Sequence, residues 1–202
     1  MYSLGFDFNP TYRKDMLLGF AIAIGMLVIL FSLLLLTGSI RIVSIHFPAY
    51  DLLLLFGLFV VVAIREETVS RGYMLVSLMA SMNKYWALLA TSIFFALLHI
   101  DNTGLTVFSF VNIVLGGLLM GVYYIHKKNL WFPIGLHFGW NLVLGPILGS
   151  AVSGQQLSSI IQLELVGSDF ITGGSFGFEG SIFTPILFIL ATIYIHFRFR
   201  EK

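Results

Sequence analysis

Three short stretches carry residue types whose spacing could support chemistry. Residues 60–75 read "VVVAIREETVSRGYML", which sets Glu66, Glu67 and Arg71 in the middle of an apolar run. Glu67 and Arg71 are four apart with the acid first, the favourable order for a helical ion pair. Glu66 is rotated by about 100° on such a helix and shares that pairing less well. The helix therefore offers one neutralised carboxylate and one spare. Residues 94–102, "FFALLHIDN", place Phe95 and His99 four apart, and residues 135–141, "GLHFGWN", do the same for His137 and Asn141. One acid, two histidines and an amide suit hydrolysis. A carboxylate can take a proton from water, a His can orient that water or bind a metal, and His with Asn can donate to a developing oxyanion.

Each element also has a plainer reading. The charges could be a structural ion cluster or a helix end at an interface. A lone His in an apolar helix is often a packing residue. Gly135 and Gly139, like Gly116, Gly117 and Gly121, could serve only to let neighbouring backbones approach. His46, His126 and His196 lack this polar context and read as interfacial.

These residues need helices that hold them at one depth. The chain has 202 residues, 58% of them hydrophobic and only 10% charged, with a mean hydropathy of +0.95. Soluble domains carry roughly 25% charged residues. The expected class is all-α, a polytopic transmembrane bundle of about six helices with its active site in an intramembrane cavity. The whole chain, 1–202, reads as a single integral membrane domain. The expected helices run Met16 to Leu36, Asp51 to about Met82, Trp86 to Ile100, Leu105 to Ile125, Trp131 to about Val152, and Ser181 to Phe197. No strand alternation is evident. The second helix is overlong, so it must tilt, kink near Gly72 or lay its last turns on the interface. The absence of cysteine excludes disulfides, thiol catalysis and cysteine-ligated metal. No basic tract points to nucleic acid, and the net charge of +1 says nothing about partners.

Cations orient the bundle. Arg13, Lys14, Lys84, Lys127, Lys128, Arg198, Arg200 and Lys202 all fall on one side of a six-helix path, and among connecting segments only Arg41 dissents. The positive-inside rule makes that side, with both termini, cytoplasmic. Measured from Lys84 and Lys128, Glu66 lies roughly 27 Å along its helix, His99 roughly 22 Å, His137 roughly 14 Å and Asn141 roughly 20 Å. Ionisable groups at such depth cost roughly 2.5–3.5 kcal/mol each, so Glu66, Glu67 and Arg71 need partners or a water-filled cavity.

The three motifs have a further meaning together. "EETVSR" fits EExxxR, "FALLH" fits FxxxH and "HFGWN" fits HxxxN, in that order and on successive helices. The chain resembles the CPBP family of intramembrane proteases, named for CAAX proteases and bacteriocin-processing proteins and also called Abi. The resemblance covers roughly residues 60–145, the expected catalytic core. "GGSFGFEGS" also resembles a glycine-rich segment common in bacterial members. The resemblance implies an endopeptidase in which Glu66 activates water with help from His99. It implies that His137 and Asn141 stabilise the oxyanion and that Glu67 and Arg71 support the site. The family has been treated both as metalloproteases and as glutamate proteases. Zinc therefore stays open, with Glu66, His99 and His137 as its candidate ligands, although the HExxH spacing is absent.

The expected partners are membrane lipid and a membrane-associated peptide or protein substrate. In eukaryotic relatives that substrate is a prenylated carboxy-terminal tripeptide. A chain this compact suggests a bacterial plasma membrane, where bacteriocin or pheromone maturation, or self-immunity to a bacteriocin, fits better. The alternatives are a non-catalytic scaffold or immunity protein of the same fold, which would not need Glu66 in the membrane, and a proton-coupled transporter, which the lack of an internal repeat disfavours. Topology is open to direct test in a chain with no native cysteine. Single cysteines at Ser3 and Gln156 are expected to react with impermeant thiol reagents from opposite sides of the membrane, and same-side labelling would refute the six-helix path.

Overall fold

The fold is described from a computed structural model, which covers residues 5–6 and 12–200. Ser3, a labelling position, and Lys202, one of the orienting cations, lie outside the described residues. The described chain is mostly helical. Helix α1 spans Tyr12–Leu36, α2 Ala49–Glu67, α4 Lys84–Leu97, α5 Val107–Lys127, α6 Trp131–Leu142 and α8 Phe183–Phe199. The short helices α3, Val76–Met79, and α7, Asp169–Thr172, complete the set. Among the described residues α1 and α5 are long and apolar enough to cross a membrane unaided, while α4 and α8 are shorter apolar helices.

The overlong second segment has a specific irregularity. Between α2 and α3 the helix widens into a π-helical stretch, Thr68–Leu75, that contains Arg71 and Gly72. Hydroxyls flank it. Thr68 Oγ1 donates to the Ile64 carbonyl and Ser77 Oγ to the Tyr73 carbonyl. Such i−4 back-bonding competes with the helical ladder at both ends of the stretch. The helix after Trp131 ends earlier than the expected Val152. It passes through a second π-helical turn, Val143–Ile147, at Pro146, whose missing N–H breaks the ladder.

Two strands correct the expectation of an all-helical chain. Strand β1, Ile40–Ile45, pairs antiparallel with β2, Ile161–Leu165. β1 is rich in β-branched Ile and Val, which favour strands. It is short, has an irregular register between Ile42 and Ser44, and pairs with a segment more than a hundred residues away. Local alternation was too brief to reveal it. The dissenting Arg41 stands opposite Glu164 in this register.

The other helix ends gather at the opposite end of the bundle. Asn129 donates to Asp15, Lys128 Nζ lies 3.5 Å from Met79 Sδ, Lys127 sits over the Phe199 ring, and the Tyr85 ring meets His196. His126, buried, faces His196 at 3.2 Å and ties α5 to α8.

Helix α6 is the central post, and α1 packs along it. The contact is backbone to backbone. A Cβ on Gly135 would collide with the Met16 carbonyl, and a Cβ on Gly19 with the Phe132 carbonyl. Gly25, on the exposed side of α1, has open space around it. Gly135→Ala should therefore force the two helices apart, at about 1–3 kcal/mol as for other overpacked contacts. Thermal unfolding in detergent should fall for Gly135→Ala and hold for Gly25→Ala.

Candidate active site

The motif residues converge from four helical segments. Glu67 ends α2 with no exposed surface, and Arg71, 2% exposed, lies in the π-helical stretch. Arg71 Nη1 donates to Glu67 Oε1 at 2.9 Å, the pairing the sequence suggested. Arg71 Nη2 donates to the Gly117 carbonyl of α5 at 3.0 Å, and the guanidinium lies 4.7 Å from the centre of the Phe95 ring of α4. One side chain thus binds its own helix and two others.

Glu67 does more than neutralise Arg71. Its Oε1 also accepts from His137 Nδ1 at 2.8 Å. This bond fixes the His137 ring and its tautomer, because Nδ1 must carry a proton. His137 Nε2 is then directed elsewhere and lies 3.9 Å from Glu66 Oε2. The sequence reading paired Glu67 with Arg71 alone. Nothing in the local spacing signals a bond across 70 residues.

Glu66 points away from this buried knot. Its side chain is 20% exposed, and Oε1 accepts from Arg65 Nη2 at 3.1 Å. Arg65 itself is largely exposed. His99 stands on the turn just beyond the end of α4, rather than within a helix running to Ile100. Its Nδ1 lies 2.8 Å from the Phe95 carbonyl, which makes Nδ1 the donor and leaves Nε2 as an acceptor. The Phe95 ring packs between the two histidines, 4.9 Å from His99 and 6.1 Å from His137.

Glu66, His99, His137 and Asn141 all line one cavity of about 660 Å³. Ligand sites are typically roughly 300–1,000 Å³. Among the described residues no hydrogen bond joins His99 to Glu66; their partners are the Phe95 carbonyl and Arg65. Its wall also holds residues the sequence reading passed over. Glu179, the acid of "GGSFGFEGS", lines the cavity, and its Oε1 accepts from Trp140 Nε1 of α6 at 2.9 Å. Its Oε2 accepts from the backbone and hydroxyl of Ser153 at 2.6 and 2.9 Å. The clue was the acid within "GGSFGFEGS".

A zinc site would need Glu66, His99 and His137 to converge. Among the described residues no three His, Cys, Asp or Glu side chains are grouped to hold a metal ion. The side chains as placed do not fit that metal set.

A family model described as Rce1-like, type II CAAX prenyl endopeptidase Rce1-like, matches residues 47–143. This segment includes all three motifs. The chain belongs to the CPBP, or CAAX protease, family. It is therefore a CAAX-type membrane protease. No curated protein and no solved structure matches the chain.

In this CAAX-type protease the adjacent acids should respond differently to the same change. Glu67→Gln leaves Arg71 buried without its carboxylate partner, which typically costs about 3–5 kcal/mol. Glu66→Gln alters a half-buried group at a cavity wall. Melting temperature and yield in detergent should drop for Glu67→Gln and stay near the parent's for Glu66→Gln. The reverse order would exchange their roles.

Proposed function

We propose that this chain is an intramembrane endopeptidase with six membrane helices, both termini cytoplasmic, that cleaves membrane-associated peptides or proteins. The observation that carries this reading is the meeting of Glu66, His99, His137 and Asn141 on the wall of one cavity. Glu66 is the base that takes a proton from water, and His99, through Nε2, accepts a hydrogen bond from that water and orients it. The water oxygen bonds to the scissile carbonyl carbon. The carbonyl electrons move to oxygen, where Asn141 donates from its side-chain amide. Collapse breaks the carbon–nitrogen bond, and the proton held by Glu66 passes to the departing amine. His137 donates to the same oxyanion only as an imidazolium, since its Nδ1 proton is committed to Glu67. The Glu67–Arg71 pair supports the site by holding that ring.

Cleavage assays on purified protein test the assignment. Glu66→Gln should abolish turnover while the protein stays folded, because an amide is not a base. Asn141→Ala should reduce turnover by about 100- to 1000-fold with little change in substrate affinity, as for loss of one oxyanion donor. Zinc measured in the parent, His99→Ala and His137→Ala proteins tests the chemistry separately. Stoichiometric zinc in the parent, absent from both variants, would overturn the Glu/His scheme and leave the protease assignment standing.

A further inference from the structure

The cavity has a second polar end that the chemistry above does not use. Asn112 of α5 lines it and is 1% exposed. Its Nδ2 donates to the Glu179 carbonyl at 2.8 Å and to the Ser181 carbonyl at 3.3 Å. Two carbonyl partners fix the amide orientation, since only the NH2 group can donate to both. Oδ1 is consequently a buried acceptor, and it has no hydrogen-bond partner among the described residues. Buried polar atoms are nearly always paired, so an orphan on a side chain that lines the cavity calls for a donor.

Glu179 stands beside it. Its carboxylate accepts three bonds, one at Oε1 and two at Oε2. A carboxylate has about four acceptor positions, so one remains at Oε1. The backbone holds the acid in place. Gly177 has a φ of 89°, and a Cβ there would collide with the Ala151 carbonyl. This tight approach presses the glycine-rich segment against the 150–153 loop, and Ser150 Oγ accepts from the Phe178 N–H. Among the described residues of the cavity wall, Arg65 is the one fixed cation. It is largely exposed and already paired with Glu66. Asn112 and Glu179 thus offer acceptors and negative charge to a ligand in the cavity.

We propose that Asn112 and Glu179 form a substrate subsite that takes an ammonium or guanidinium group of the peptide. This rests on the peptidase reading and narrows its substrates to peptides with a basic group near the scissile bond. A basic side chain and a free amino terminus present the same chemistry.

The test uses full-length protein in nanodiscs and a set of apolar quenched-fluorescent peptides. The peptides differ at one position, scanned along the chain, which carries Lys, norleucine or Glu. Each is made with a free and an acetylated amino terminus. Binding is measured to the Glu66→Gln protein, which removes the other carboxylate of the cavity, and cleavage is measured with the parent. At one position Lys should bind at least about tenfold more tightly than norleucine, as expected for a charged hydrogen bond, with Glu weaker still. If instead Lys and norleucine bind equally and acetylation weakens every peptide, the occupant is the amino terminus.

In the Glu66→Gln background, Glu179→Gln and Asn112→Ala should each reduce the preference for Lys. Either variant alone suffices if the other fails to fold. Equal binding of Lys, norleucine and Glu at every position, with no effect of acetylation, would overturn the subsite. So would a preference for Lys that survives both substitutions, because Glu179 would then be only a strap between Trp140 and Ser153. Binding with the stated preference but no cleavage by the parent would instead sink the peptidase reading and leave the subsite intact.

Discussion

The site depends on one buried contact, the carboxylate of Glu67 between Arg71 and His137. Its Oε1 accepts from both, at 2.9 and 2.8 Å. Removing a carboxylate and a guanidinium from water costs several kcal/mol each, and only close partners recover it. Arg71 finds them in Glu67, the Gly117 carbonyl and the Phe95 ring. Those partners lie on α2, α5 and α4, and His137 adds α6. Electrostatic necessity therefore sets the mutual placement of four helical segments. Helices in a bilayer gain little from apolar contact with one another, because lipid is equally apolar. A charge that must be satisfied is a stronger constraint on their arrangement than oil against oil.

The same constraint accounts for where the sequence was legible. Helix positions were readable because long apolar runs are interrupted by few charges, and the expected segments fall close to α1, α2 with its extension, α4, α5, α6 and α8. The Glu67–Arg71 pair was readable because it lies within one helix turn. Contacts across the chain were not. The His137–Glu67 bond spans 70 residues and the Trp140–Glu179 bond spans 39. The β1–β2 pair was missed for the same reason, since a five- or six-residue strand shows no pattern until its distant partner is known. His99 shows a subtler limit. Its spacing from Phe95 suggested a shared helical face, yet α4 ends at Leu97 and the ring instead folds back on the Phe95 carbonyl.

The π-helical stretch belongs with the buried knot. A π turn takes up one more residue than an α turn and often marks functional positions. Here it begins directly after Glu67 and ends at Leu75, so Arg71 lies within it. Arg71 must satisfy partners on three sides, and a regular helix gives no freedom to adjust its direction. Thr68 and Ser77 lend hydroxyls to carbonyls at either end. The helix gives up regularity where the guanidinium must be aimed, and stays regular in α2, where an apolar surface suffices.

Glu66 and Glu67 show how little sequence separates a buried anchor from an acid on the cavity wall. They are identical side chains on neighbouring residues, turned about 100° apart by the helix. That rotation gives Glu67 a site with no exposed surface, where its charge is consumed by Arg71 and His137. It gives Glu66 a cavity wall, where the one cation in contact, Arg65, is mostly exposed and the nearest His137 nitrogen is 3.9 Å away. Protonating a carboxylate that accepts from both Arg71 and His137 would break the bonds that hold the helices. A carboxylate at a cavity wall can exchange a proton without disturbing the fold. In the proposed reaction the two acids divide the work, Glu67 anchoring the bundle and Glu66 changing its charge.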